Sequence, residues 1–246
     1  MVRRRSRPVL DLRPELPHGA AVRLRRGVRF VLAAFALAAS AFVSLFPGSA
    51  EARNRPGDFD FYVLSLSWSP SYCESEGDKA EPTQCAGPRP FAFVVHGLWP
   101  QYQHRWPEFC QKPPPFVAEP VLRSMLDIMP SRKLVLHQWR KHGTCSGLDS
   151  ATYFEKVRLA FSRVTIPEEY RRLDQYSMVA PHEVEAAFRA ANPGLDADMI
   201  SVECSGRHLR DVRICMSRTF NYTACPELER RACTAERVAM PPMRGG

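Results

Sequence analysis

The chain has 246 residues, 45% hydrophobic and 24% charged, with 34 Lys and Arg against 26 Asp and Glu and a formal charge of +8. It is too apolar for a disordered chain. The charge is unevenly spread: residues 1–52 carry nine Arg against three acids, and residues 53–246 carry 25 Lys and Arg against 23 acids. A broad basic stripe over the folded part is therefore not supported, and affinity for a polyanion must come from a local site.

The first 52 residues read as an export leader with an extended basic n-region. Arg23 to Arg29 is basic, Phe30 to Phe46 is free of charge, Pro47-Gly48 breaks the run, and Ala50-Glu51-Ala52 fits the small-x-small rule. Cleavage is expected after Ala52. An uncleaved anchor is the alternative, but the run is short and Ala-rich for a span.

Residues 53–246 suffice for one core and show no repeat or long Gly/Ser linker, so one domain is expected. Phe59 to Trp68 alternates with a change of phase after Val63, which reads as a strand with a bulge. Residues 71–90 are polar, broken by Pro and Gly, and carry Cys73 and Cys85; they read as a stapled loop. Phe91 to Val95 fits a short buried strand. Three prolines at 113–115 stop regular structure. Helical spacing then predicts helices over Val117–Met129, ended by Pro130, and over Leu134–His142, ended by Gly143. Ser150 is the expected cap of a helix through Phe161, and Pro181 opens another through Ala191. Met199–Cys204 and Leu209–Met216 read as strands. Strands and helices do not alternate regularly, so the class is α+β.

All eight cysteines lie beyond the leader: Cys73, Cys85, Cys110, Cys145, Cys204, Cys215, Cys225 and Cys233. An even set in an exported chain reads as up to four disulfides, whose pairing sequence alone does not choose. A zinc site would need tight Cys-x-x-Cys pairs, which are absent; no metal and no cofactor are expected.

Two segments carry chemistry. In the first, His96-Gly97-Leu98-Trp99-Pro100, an imidazole stands at the end of the buried strand, where a side chain is held rigidly. Alone it reads as a structural His capping a strand. In the second, His137 to Cys145, His137 and Lys141 are i,i+4, as are Gln138 and His142. Two imidazoles, an amide and an ammonium thus share one wedge of a helix, while Trp139 and Arg140 point elsewhere. Lys141 opposes protonation of its neighbours, and an anion such as phosphate would relieve the crowding. Such a set suits a phosphodiester that carries its own nucleophile. RNA does: one group takes the 2′-OH proton, another protonates the leaving 5′-oxygen, and a cation stabilises the phosphoryl oxygens. DNA lacks that hydroxyl and would be a poor substrate.

With these two blocks in order, in an exported and cysteine-rich chain, the sequence resembles the ribonuclease T2 family of secreted endoribonucleases. The blocks cover 14 residues, and a looser likeness extends from about Asp58 to Cys233. The resemblance implies a central antiparallel sheet flanked by helices and stapled by disulfides. It also implies metal-independent cleavage of RNA to a 2′,3′-cyclic phosphate and then a 3′-phosphate. His142 would be the base and His96 the acid, exchanging roles in the second step; Lys141 would stabilise the transition state and His137 would contact phosphate. Gln138 stands where the family commonly has Glu; it can donate a hydrogen bond but cannot relay a proton. Trp99 falls where an aromatic stacks on a base, and Gln101 at a place associated with base choice. The implied disulfides are Cys73–Cys85, Cys110–Cys145, Cys204–Cys233 and Cys215–Cys225. The implied partner is single-stranded RNA, not DNA and, in the mature form, not a membrane; the protein is expected as a periplasmic or secreted monomer.

Two other readings stay open: a weakened family member that binds RNA, which Gln138 invites, and a metal-dependent phosphatase or nuclease. His104, His182 and His208 read as structural or solvated. The Arg residues at 171–172, 207–218 and 230–237 read as a solvated surface, and Asn221-Tyr222-Thr223 matches a glycosylation sequon.

Overall fold

The computed structural model describes residues 54–225, 228 and 232–243. The leader, its cleavage point and part of the 230–237 cluster lie outside the described residues. Six strands form one sheet: β1 (Phe61–Trp68), β2 (Phe93–Gln101), β3 (Ser177–Val179), β4 (Ile200–Ser205), β5 (His208–Met216) and β6 (Val238–Met240). The path runs β2-β1-β5-β6-β3, and β4 also pairs with β5. All pairings are antiparallel except β5 with β6, which meet in parallel at His208 and Ala239. The sheet is therefore mixed at one margin. The helices are α1 (Ser69–Glu76), α2 (Pro82–Cys85), α3 (Glu119–Arg123), α4 (Arg132–Lys141), α5 (Ser150–Ser162) and α6 (Pro181–Ala191).

One face of the sheet builds the core. Tyr62, Leu64, Leu66 and Trp68 of β1, with Phe93, Val95 and Leu98 of β2, join Trp139, Tyr153, Phe154, Val157 and Phe188 from the helices. The other face holds Phe61, Val63, Cys215, Cys225 and Leu228, with Trp99 against them. β1 is buried on both faces, so its alternation continues unbroken where the sequence suggested a change of phase. The phase changes lie in its neighbours. Opposite Ser65 and Leu66, the β2 partners are Gly97 and Val95, leaving His96 as an extra residue. Opposite Glu203 and Cys204, the β5 partners are Asp211 and Leu209, leaving Arg210 as an extra residue. Each bulge switches which residues face the core: Val95 is followed there by Leu98, and Leu209 by Val212. A bulge re-aims side chains in this way.

Several sequence expectations need correction. Residues 71–90 hold α1 and α2, each with Pro in its first turn and joined by Cys73–Cys85. Proline is tolerated there because the first-turn N–H groups lack intrahelical acceptors. α1 buries only Ser69, Pro70 and Ser71, so it has no apolar stripe to read. The helix expected over Val117–Met129 is only α3, followed by turns. Ile128 O accepts from Val95 N at 2.8 Å, diverting a carbonyl from any helix to the sheet. α5 is capped by Asp149 rather than Ser150: its carboxylate accepts from Thr152 N at 3.0 Å. α6 matches its expected bounds. β3 and β6 were missed because three residues are too few for a period-2 signal.

The four disulfides are Cys73–Cys85, Cys110–Cys145, Cys204–Cys233 and Cys215–Cys225, the pairs implied by the resemblance. Among the described residues no helix is long and apolar enough to cross a membrane.

Candidate active site

The face of the sheet opposite the core and the end of α4 enclose a cavity of about 290 Å³. His96, Trp99 and Gln101 line it from β2, and His137, Gln138, Lys141 and His142 from α4 and its cap. Both sequence blocks therefore converge. His96 does not stand at a strand end, as expected, but inside β2, on the bulge.

α4 is set by its ends and one anchor. The Ser131 hydroxyl caps it by accepting from Leu134 N at 3.2 Å. Trp139 is 1% exposed, and its indole donates to Pro115 O at 2.7 Å. With Trp139 in the core, the wedge from His137 to His142 turns to the cavity. After Lys141 the backbone tightens into a 3₁₀ turn over Gly143–Cys145. A Cβ on Gly143 would lie 2.4 Å from Trp139 Cε3, so this close passage needs glycine. Cys145 ties the turn to Cys110, and Phe109 N donates to Lys141 O at 2.8 Å.

Trp99 contacts both imidazoles. Its ring meets His96 edge-on at 5.3 Å and stacks with His142 at 5.2 Å. The Arg213 guanidinium lies over the same indole at 4.8 Å. Trp99 Nε1 donates to Gln138 Oε1 at 2.7 Å. Gln138 is 2% exposed, and a Cβ at position 97 would fall 2.3 Å from its Oε1. Glycine at 97 is thus required by the approach of β2 to α4. Trp99 is half-buried and lines the cavity. Gln138 spends its amide oxygen on this indole and keeps its NH₂ as a donor.

The electrostatics separate the two histidines. His142 is buried, and burial, followed by the charges of Lys141, His96, His137 and Arg213, lowers its pKa to about 2. Its Nδ1 has no hydrogen-bond partner among the described residues. Burial, followed by Lys141, His96 and Arg140, also lowers the pKa of His137, which is more exposed. Lys141 Nζ lies 3.6 Å from Glu108 Oε2 at the rim. His96 instead faces a buried carboxylate: its Nδ1 is 3.2 Å from Ser67 Oγ and 3.5 Å from Asp211 Oδ1, and Ser67 donates to Asp211 at 2.5 Å. Burial opposes the charge on Asp211, but His96, the Ser67 hydroxyl and Arg213 prevail and hold its pKa at about 2. Arg213 also pairs with Glu203.

Ser67, Glu203, Asp211 and Arg213 escaped the sequence reading, and the Arg scatter over 207–218 needs correction: Arg213 and Asp211 are buried. They occupy facing positions on adjacent strands, Ser67 opposite Asp211 and Ser65 opposite Arg213. Arg105, Trp106 and Arg210 also line the cavity. The available signal was the alternation of charged with apolar residues along β5, which suggests solvent unless the second face is known to be covered. His208 is structural, 3.1 Å from Glu74 Oε1; His104 and His182 lie at exposed positions, as does Asn221 of the sequon. Among the described residues no three His, Cys, Asp or Glu side chains gather as a metal-holding group.

Comparison with known proteins agrees with this architecture. The sequence model of the Ribonuclease T2 family matches residues 59–225. A ribonuclease of Aeromonas hydrophila is 32% identical over 195 residues, covering 76% of this chain and 86% of that protein. Ribonuclease I of Escherichia coli is 26% identical over 202 residues, covering 64% and 75%. Among solved structures, RNase NT in complex with 5′-AMP superposes with a TM-score of 0.56 at 24% identity, covering 75% of this chain and 99% of that one. The chain belongs to the Ribonuclease T2 family. It is an endoribonuclease of the T2 type.

Proposed function

We propose that the protein cleaves single-stranded RNA without a metal, through attack of the 2′-OH on the adjacent phosphorus. His142 takes the 2′-OH proton, the 2′-oxygen bonds to phosphorus, the bond to the 5′-oxygen breaks, and His96 protonates that oxygen. The product is a 2′,3′-cyclic phosphate. In the second step His96 takes a proton from water, the water oxygen attacks phosphorus, the bond from phosphorus to the 2′-oxygen breaks, and His142 returns its proton to that oxygen, leaving a 3′-phosphate. Acid and base exchange roles between the steps.

The observation that carries this reading is the pair of imidazoles, His96 and His142, both in contact with Trp99 in one cationic cavity. Their surroundings differ: His142 is buried beside cations, whereas His96 faces the carboxylate of Asp211. His142 is held neutral, the form a base requires. A phosphodiester entering the site offsets the charges of Lys141, His137 and Arg213 and lets the ring accept its proton. Lys141 stabilises the charge that develops on the phosphoryl oxygens. His137 and the Gln138 NH₂ contact the phosphate. Gln101 contacts a base edge from the rim. The mature protein is residues 53–246, one domain, exported by the leader and acting as a monomer outside the cytoplasm.

The test is digestion of a defined RNA by the oxidised full-length mature chain in EDTA, from about pH 4 to about pH 8, across the range in which imidazoles titrate. Fragments ending in 2′,3′-cyclic phosphate or 3′-phosphate are expected. Fragments ending in 3′-OH, or loss of activity in the chelator, would overturn the proposal; uncut RNA would favour an RNA-binding role.

A further inference from the structure

We propose that Asp211 and Ser67 are positioning residues for His96, a buried carboxylate and hydroxyl that fix its ring through Nδ1 so that Nε2 faces the phosphodiester. The inference rests on the role of His96 as proton donor to the leaving 5′-oxygen.

The geometry is specific. Ser67 and Asp211 are facing residues on β1 and β5, on the same side of the sheet. Ser67 donates to Asp211 Oδ1 at 2.5 Å, and His96 Nδ1 lies within 3.2 Å of that hydroxyl and 3.5 Å of that oxygen. Asp211 is wholly buried, whereas His96 keeps 25% of its side chain exposed toward the cavity. A fully buried carboxylate costs stability unless charge and hydrogen bonds compensate it. Here Arg210 and Arg213 stand 3.4 Å and 3.6 Å from its other oxygen. The two bulges supply the alignment. The extra residue in β2 is His96 itself, and the extra residue in β5 directly precedes Asp211. Without the first, His96 would follow the alternation of β2 and lose this aim.

With Nδ1 held by Asp211 and Ser67, the proton on Nε2 points to the leaving oxygen. The carboxylate keeps that ring in one tautomer and one orientation. The carboxylate does not exchange a proton. This is the logic of a carboxylate that orients a catalytic imidazole, built here with a serine hydroxyl beside the pair.

The experiment compares wild type with Asp211→Asn, Ser67→Ala, Ser67→Thr and His96→Ala on two substrates: an RNA dinucleotide, and uridine 3′-(4-nitrophenyl phosphate), whose leaving group needs no proton. On the dinucleotide, Asp211→Asn and Ser67→Ala are expected to lower kcat by about 10²-fold and 10-fold, the scale of a misplaced catalytic group, with KM little changed. Both losses should shrink on the activated substrate, as that of His96→Ala does. Ser67→Thr, which keeps the hydroxyl, should restore activity. Equal losses on both substrates would overturn the inference. If Asp211→Asn does not fold, the two Ser67 variants decide by the same comparison. Full activity in His96→Ala would instead refute the proton-donor reading on which the inference depends.

Discussion

His142 links the chemistry to stability in a measurable way. Its ring is buried, and its pKa falls from the usual 6.5 to about 2. The unfolded chain therefore binds a proton at this residue below about pH 6.5 that the folded chain refuses. Stability must then fall as pH drops through the window between those values, at about 1.4 kcal/mol per pH unit. From pH 6.5 to about pH 4.5 the loss comes to roughly 2–3 kcal/mol, a sizeable share of the 5–15 kcal/mol that holds a typical domain. That window lies above the range in which the lowered carboxylates, Asp211, Asp127 and Asp149, begin to contribute. The perturbation is His142→Gln, and the assay is urea unfolding at pH steps between those limits, with the disulfides intact. Wild type should lose stability on acidification by this amount more than the variant, and inorganic phosphate should narrow the gap by pairing with the protonated ring. Parallel pH dependences in the two proteins would refute the burial argument for His142.

Other predictions follow from the same contacts. Gly97→Ala places a methyl against Gln138 Oε1 and Trp99 Nε1; kcat should fall by about 10²-fold because the spacing of the two imidazoles is lost, and wild-type turnover would show that the spacing is irrelevant. Gln138→Glu preserves an acceptor for the Trp99 indole and adds a negative charge beside His142, so activity should be kept or raised; a large loss would show that the amide NH₂ is indispensable. Replacing Cys110 and Cys145 together by Ser should destabilise the protein by about 4 kcal/mol in the chain-entropy view, since the bridge closes a span of 35 residues; an unchanged urea midpoint would refute it.

How much of this was legible in the sequence depended on the range of the signal. α4 and α6 have apolar periodicity and local caps, and the His137–His142 wedge follows from helical spacing alone. The first block could be placed on a strand, but the bulge at His96 could not, because it exists only relative to the register of β1. Asp211 is the clearest case of a hidden residue. It stands between Arg210 and Val212 in a segment dense with Arg, and its partners lie 115 and 144 residues away in sequence. Nothing local separates it from a solvated acid. The partners of Trp99 were hidden for the same reason: Arg213 comes from β5 and Gln138 from α4, and only the folded chain brings them to one indole.

The central claim is that the two imidazoles lining one cavity, His96 and His142, share the proton transfers. The most direct measurement is turnover of His96→Ala and His142→Ala on RNA, with folding checked by near-UV circular dichroism. Each should lose about 10²–10⁴-fold in kcat, the usual contribution of a general acid or base. Near-normal turnover in either folded variant would contradict the account.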